Sequence, residues 1–299
     1  MNDKTQLLAE RLQGIGGSDA AAICGLSPWE TALQVYLEKR GEIEQFKGNE
    51  KTKWGIRMEN LVALAYVEES GRKVRRIPMR VSAEHPYMLV HMDRQIIGDD
   101  RGPGYLECKT TDKANARQWI NGPPDEYQLQ VQHGLAVTGY RWAVIAVLIG
   151  GNHYEQFEIE RNEKIIEKLI EIESAFWNNN VLAGVPPEPD YDHPRTGELL
   201  ARMYGSVALE KTVVLAEPLI HWAFVEQDAA RQITTLQKVR DGAKARIQAA
   251  MEDAGVGVLP PNKEIQGQYV RTLTKKQEHI IPASEFITMR FRGRKGEGE

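Results

Sequence analysis

From Lys51 to Ser70, Trp54, Met58, Leu61, Val62, Ala65 and Tyr66 recur at three- and four-residue spacing, and Gly71 follows. This spacing predicts a long amphipathic helix. Upstream, residues 4–13 read as a short helix, and the turn Gly14-Ile15-Gly16-Gly17 leads to a second, capped by Ser18 or Asp19. Ser27-Pro28 punctuates, and Glu30 to Arg40 is helical up to Gly41. After Gly71 the period falls to two: strands are expected at 73–81, 88–97 and 104–111, a β-meander with the turn GDDRGPG before its last strand.

Residues 124–138 predict a helix with Pro124 in its first turn. The run RWAVIAVLIGG predicts a strand buried on both faces. HYEQFEIE alternates as another strand, and Glu163 to Asn178 is a helix entering the Pro-rich stretch VPPEPDYDHP. Beyond it, Pro218 to Ala254 reads as one long helix or a helical pair, broken at Gly255-Val-Gly257. A hairpin at 264–275, a short helix after Pro282 and a basic, Gly-rich tail complete the pattern, without an internal repeat. The domain reading is a core over 1–185, a linker over 186–207 and a helical and hairpin extension over 208–299.

The 299 residues, 41% hydrophobic, allow one large domain or a core with an appendage. No apolar run is long enough to span a bilayer and the N-terminus lacks the core of a signal peptide, so a cytoplasmic location without membrane contact is expected. Cys24 and Cys108 alone cannot build a four-thiolate zinc or iron–sulfur site. The net charge of −4 gives no global attraction to nucleic acid, so DNA affinity requires a local basic groove or bound metal.

The chemistry concentrates at Asp93 and, across one hairpin turn, Glu107-Cys108-Lys109. An E-x-K triplet arises about once by chance in such a chain; its setting decides. On a strand Glu107 and Lys109 share a face, and antiparallel pairing brings Asp93 beside Glu107. Adjacent carboxylates repel unless a cation lies between them, and hard oxygen ligands suit Mg²⁺, with the Cys108 carbonyl as a further donor. Lys109 then stands where it orients the attacking water or stabilises developing charge. The commoner fate of such a triplet is a solvated surface pairing worth at most about 1 kcal/mol.

Taken in order, RLQGIGGSD, SPW, WGIRMEN, HPYMLVHMDR, ECK and EYQLQVQ resemble the phage-type alkaline exonuclease and YqaJ-like recombinase family, of the PD-(D/E)xK nuclease superfamily, over about residues 11 to 180. The resemblance implies an α/β (α+β) fold with a central mixed sheet flanked by helices. It implies Mg²⁺- or Mn²⁺-dependent degradation of linear double-stranded DNA from 5′ ends. It further implies 3′ overhangs for a single-strand annealing protein, a homotrimeric ring around DNA, two metal ions per site, and a phage or prophage origin in a bacterial cell.

By the same resemblance Asp93, Glu107 and the Cys108 carbonyl are metal ligands, Lys109 is the catalytic lysine, and Glu59 acts near the metal through water. Tyr127 and Gln130, at i and i+3 on one helix face, belong to the active-site edge. Arg11 and Ser18 correspond to a 5′-phosphate grip at a helix N-terminus, with His91 where relatives carry a small residue. Read alone, Glu59 is an exposed helix carboxylate, Tyr127 is half-buried beside a surface Gln, and His91 is as readily a packed strand histidine. Arg72, Lys73, Arg75, Arg76 and Arg80 either follow DNA backbone or protect an edge strand. Trp29, Trp54, Trp119 and Trp142 are expected in the core or an interface. The rival functions are an endonuclease of the same superfamily and a non-catalytic DNA-binding protein of that fold; intact Asp93, Glu107 and Lys109 argue against the latter.

Overall fold

The computed structural model describes residues 10–44, 48–204, 210–261 and 267–271, and the chain divides into two units, residues 1–209 and 210–299. Most of the helix expected at 4–13 and the helix expected after Pro282 lie outside the described residues.

In the first unit, α1 (Gly17–Ile23) is capped by Gly16 rather than by Ser18 or Asp19. Asp19 occupies the third helical position, where its carboxylate accepts the Gly16 N–H at 2.9 Å. Close backbone packing accounts for two of the glycines before and at this helix start. Ile15 N–H donates to the Tyr87 carbonyl at 2.6 Å, and a Cβ on Gly14 would lie 2.5 Å from that same oxygen. A Cβ on Gly17 would press on Gln130 at 3.0 Å. Thr31 caps α2 (Ala32–Lys39). Asn49 caps α3 (Glu50–Ser70), which ends at left-handed Gly71 with φ 68°.

The stretches read as single strands at 73–81 and 88–97 are each split. β1 (Lys73–Arg75) and β4 (Arg94–Ile97) pair antiparallel, whereas β2 (Arg80–Val81) and β3 (Leu89–Val90) form a separate two-stranded ladder. Pro78, inside the first stretch, lacks the N–H a continuous ladder needs. β5 (Gly104–Thr111) is antiparallel to β4 and parallel to β6 (Trp142–Ile149), and β7 (His153–Glu160) closes the five-stranded order β1-β4-β5-β6-β7. The meander thus exists as β1-β4-β5 with a hairpin inserted. The parallel step requires a crossover, made by a 3₁₀ helix (Lys113–Trp119) and α4 (Asp125–Thr138).

β6 is buried on both faces. Ala143, Ile145 and Val147 pack with Tyr105, Val131 and Leu135 under α4. Trp142, Val144 and Ala146 pack with Val62, Tyr66 and Leu106 under α3. Each such apolar side chain stabilises by roughly 1.5–3 kcal/mol when fully buried. α4 approaches the sheet at Gly134, where a Cβ would lie 2.5 Å from the Tyr105 ring.

A third cluster joins Ile15, Leu33, Tyr36, Phe176 and Leu199. It draws on α5 (Glu163–Phe176) and on α6 (Thr196–Met203), a helix inside the stretch read as linker; burial of Leu199 holds that stretch against the first unit. In α4 and α5, His133 and Glu173 are both fully buried. His133 Nδ1 lies 2.9 Å from Glu173 Oε1, and its Nε2 lies 2.9 Å from the Leu89 carbonyl.

The second unit carries α7 (Leu219–Met251), one unbroken helix of 33 residues. β8 (Val256–Val258) pairs antiparallel with β9 (Gln268–Val270). The described strand of the hairpin expected at 264–275 therefore pairs back to the segment read as a helix break, while the rest of that hairpin lies largely outside the described residues. Among the described residues, no helix is long and apolar enough to cross a membrane.

Candidate active site

Alternation along β5 puts Tyr105, Glu107 and Lys109 toward α4, and Leu106 and Cys108 toward α3. The Glu107–Lys109 pair is not a solvated surface pairing: Glu107 is 4% exposed. Lys109 Nζ lies 2.7 Å from Glu107 Oε1 and donates to Gln130 Oε1 at 2.8 Å. Gln130 Nε2 in turn donates to Glu107 Oε1 at 2.7 Å, which orients the amide unambiguously, because an ammonium only donates and a carboxylate only accepts. The Tyr105 hydroxyl donates to Glu107 Oε2. Lys109 also stands 4.6 Å from the centre of the Tyr127 ring.

Asp93 precedes β4 by one residue, beyond the pair Arg94↔Leu106, and its Oδ2 accepts the Cys108 N–H at 2.7 Å. Within a strand the N–H and C=O of one residue point to the same edge, so the Cys108 carbonyl also faces Asp93. Burial, and then the Glu107 charge, push the Asp93 carboxyl well above the usual carboxylate range, against the Cys108 hydrogen bond. Burial works against the Lys109 ammonium, but Glu107 outweighs it and holds the group above its ordinary value.

Glu59 is not a lone exposed carboxylate. Arg94, itself buried, donates to Glu59 Oε1 at 2.5 Å and also to Asn60 and the Asp93 carbonyl. Arg76 adds a contact to Glu59 at 3.5 Å. Glu59, Asp93, Glu107 and Lys109 line one cavity of about 1030 Å³. Among the described residues, no group of three or more His, Cys, Asp or Glu side chains is arranged to hold a metal ion. What Asp93, Glu107 and Cys108 would offer is instead two carboxylates with a backbone carbonyl. Two desolvated carboxylates beside a carbonyl fit a hard divalent cation that completes its shell with water and substrate oxygens.

Arg11 and Ser18 line a second cavity of about 260 Å³, which shares Trp29, Glu30, Lys109 and Tyr127 with the first. Its charge is mixed. Lys39 pairs with Asp19 at 2.6 Å and donates to the Arg11 carbonyl at 2.7 Å. Glu30 is pushed up to about 7 by burial and by neighbouring Glu38 and Asp19. His91 is not among this cavity's lining residues; its Nε2 stands 3.7 Å from Glu10, and burial depresses the ring below its ordinary value.

Trp119 and Trp142 are core residues, each 2% exposed, as expected. Trp29 and Trp54 are not: they are 49% and 55% exposed on the wall of the larger cavity. Arg72 is engaged by Asp99 and Glu158, and Arg75 by Gln95. The residues missed from sequence are Arg94, Tyr105, Glu30 and Lys39. Tyr105 carried a signal, standing two positions before Glu107 on the same strand face.

Residues 6–141 match the YqaJ-like viral recombinase domain. The uncharacterized protein YqaJ of Bacillus subtilis (strain 168) is 34% identical over 267 residues, 86% of this chain and 81% of that protein. The chain belongs to the YqaJ-like viral recombinase family. In structure, this YqaJ-like chain is similar to the alkaline exonuclease of Laribacter hongkongensis: 18% identity, 60% of this chain and 94% of that chain covered, TM-score 0.50. A structure of LHK-Exo in complex with dAMP covers 66% of this chain and 96% of that one, at 18% identity and a TM-score of 0.49. The YqaJ-like chain therefore has the PD-(D/E)xK-type fold, a mixed sheet flanked by helices.

Proposed function

We propose that this chain is a metal-dependent deoxyribonuclease that degrades linear double-stranded DNA from its 5′ ends, leaving 3′ single strands for an annealing recombination protein. The observation that supports it best is the buried Glu107–Lys109–Gln130 triangle beside Asp93 in one large cavity. Family membership and the fold shared with an alkaline exonuclease agree with this reading.

Asp93, Glu107 and the Cys108 carbonyl would hold Mg²⁺ or Mn²⁺, up to two ions, with Glu59 acting through water. Such an ion supplies Lewis-acid stabilisation of charge on the scissile phosphate. Lys109, fixed by Gln130 and backed by the Tyr127 ring, orients the attacking water and stabilises developing charge. Arg11 and Ser18 would grip the terminal 5′ phosphate in the adjoining cavity, with His91 outside it. A ring of three chains around the duplex would keep the enzyme on its substrate.

The test incubates 5′-phosphorylated linear duplex, unphosphorylated linear duplex and closed circular DNA with Mg²⁺, Mn²⁺ or EDTA. Metal-dependent loss of the linear substrates, fastest with the 5′ phosphate, is expected. Digestion of closed circles would overturn the exonuclease reading in favour of an endonuclease, and no metal-dependent digestion would overturn the enzyme reading. Light scattering of the purified chain checks the ring.

A further inference from the structure

The stripe of apolar residues along α7 has no cover among the described residues. Of this helix only Met251 is buried, and Trp222, Ile233, Leu236 and Val239 are each more than 60% exposed. At about 1.5 Å per residue the helix runs about 50 Å. Scattered exposed apolar side chains need no explanation, but these, with Val225 and Ala229 between them, fall on one side of the helix at three- and four-residue spacing.

The stripe reads the same from both ends. About Leu236, Ile233 mirrors Val239 and Ala229 mirrors Ala243; further out, Val225 mirrors Ile247 and Trp222 mirrors Ala250. The flanking charges follow the same rule with opposite sign. Glu226 and Lys244 lie on one flank of the stripe, and Asp228 and Arg246 on the other.

We propose that α7 pairs antiparallel with α7 of a second copy of this chain across a two-fold axis at Leu236. A two-fold axis perpendicular to the helices makes every contact reciprocal. It places Trp222 over the partner's Ala250, large against small. Because the rotation returns each flank to its own side, Glu226 meets the partner's Lys244 and Asp228 meets the partner's Arg246. A parallel pair would instead exchange the flanks and set Lys244 against the partner's Arg246 and Glu226 against the partner's Asp228, like charge against like. The pairing rests on no activity of the first unit: it turns one chain into two, or a ring of three into six.

The test uses the full-length chain. Leu236→Asp, at an exposed position, is expected to halve the mass seen by sedimentation or light scattering while leaving helicity by circular dichroism unchanged. Direction is read by oxidative cross-linking against the parent chain, which carries Cys24 and Cys108. Val225→Cys mixed with Ile247→Cys is expected to cross-link, and Val225→Cys alone is not. An unchanged mass in the Leu236→Asp variant, cross-linking by Val225→Cys alone, or no cross-link in the mixture would each overturn the proposal.

Discussion

Glu107 accepts hydrogen bonds from Tyr105 and Gln130 and pairs with Lys109, so its carboxylate is held in one orientation before any substrate arrives. Lys109→Ala should abolish hydrolysis of linear duplex while DNA binding, followed by fluorescence anisotropy, persists. Gln130→Ala should lower kcat roughly 10- to 100-fold, the usual cost of losing an orienting partner, in steady-state nuclease assays. Glu30 yields a prediction about pH. Its folded-state value, raised to about 7, lies above the ordinary carboxylate value of 4.5. Both states are neutral well below that lower value, and the folded state bears the full penalty only above about 7. Glu30→Gln should therefore stabilise the protein at pH 8 and leave it unchanged at pH 4, by urea denaturation. Much of this was legible one residue at a time: period two aligned Glu107 with Lys109, and i, i+3 spacing aligned Tyr127 with Gln130. The clamp of Arg94 on Glu59 was not, because it needs to be known which helix covers which face of the sheet.

At the scale of elements, the buried His133–Glu173 pair joins α4, α5 and β3. The Glu173 carboxylate and the Leu89 carbonyl only accept, so both ring nitrogens of His133 carry protons. Burial works against that charge, but Glu173 outweighs it and raises the imidazolium above its ordinary value. Its stabilisation is complete below about pH 6.5 and fades as pH rises through the folded-state value. Glu173→Gln should cost about 3–5 kcal/mol at pH 6. The gap to the parent chain should narrow at pH 9, both read by chemical denaturation. Long periodic elements such as α3, α4 and β6 were visible in the pattern of residues. The splitting of two expected strands was not, since Pro78 and Asp93 interrupt ladders whose partners lie elsewhere in the chain.

Across the whole molecule, every residue lining both cavities precedes residue 209. A chain ending at Leu209 should retain metal-dependent hydrolysis of linear DNA, measured on the same substrates. The sequence pattern already separated the long helix of the second unit, but not that Leu199 ties residues 196–203 into the first; a Pro-rich stretch looks the same whether or not its next helix is buried. The frame of the site is the β5–α4–β6 crossover, and its spacing is set where Gly134 passes the Tyr105 ring. A larger residue at 134 is tolerated only if position 105 shrinks, and a smaller residue there surrenders the phenol that holds Glu107. Position 134 can therefore grow only if position 105 changes with it, and a lineage that strengthens this helix by filling the gap must find another hydrogen-bond donor for its central carboxylate.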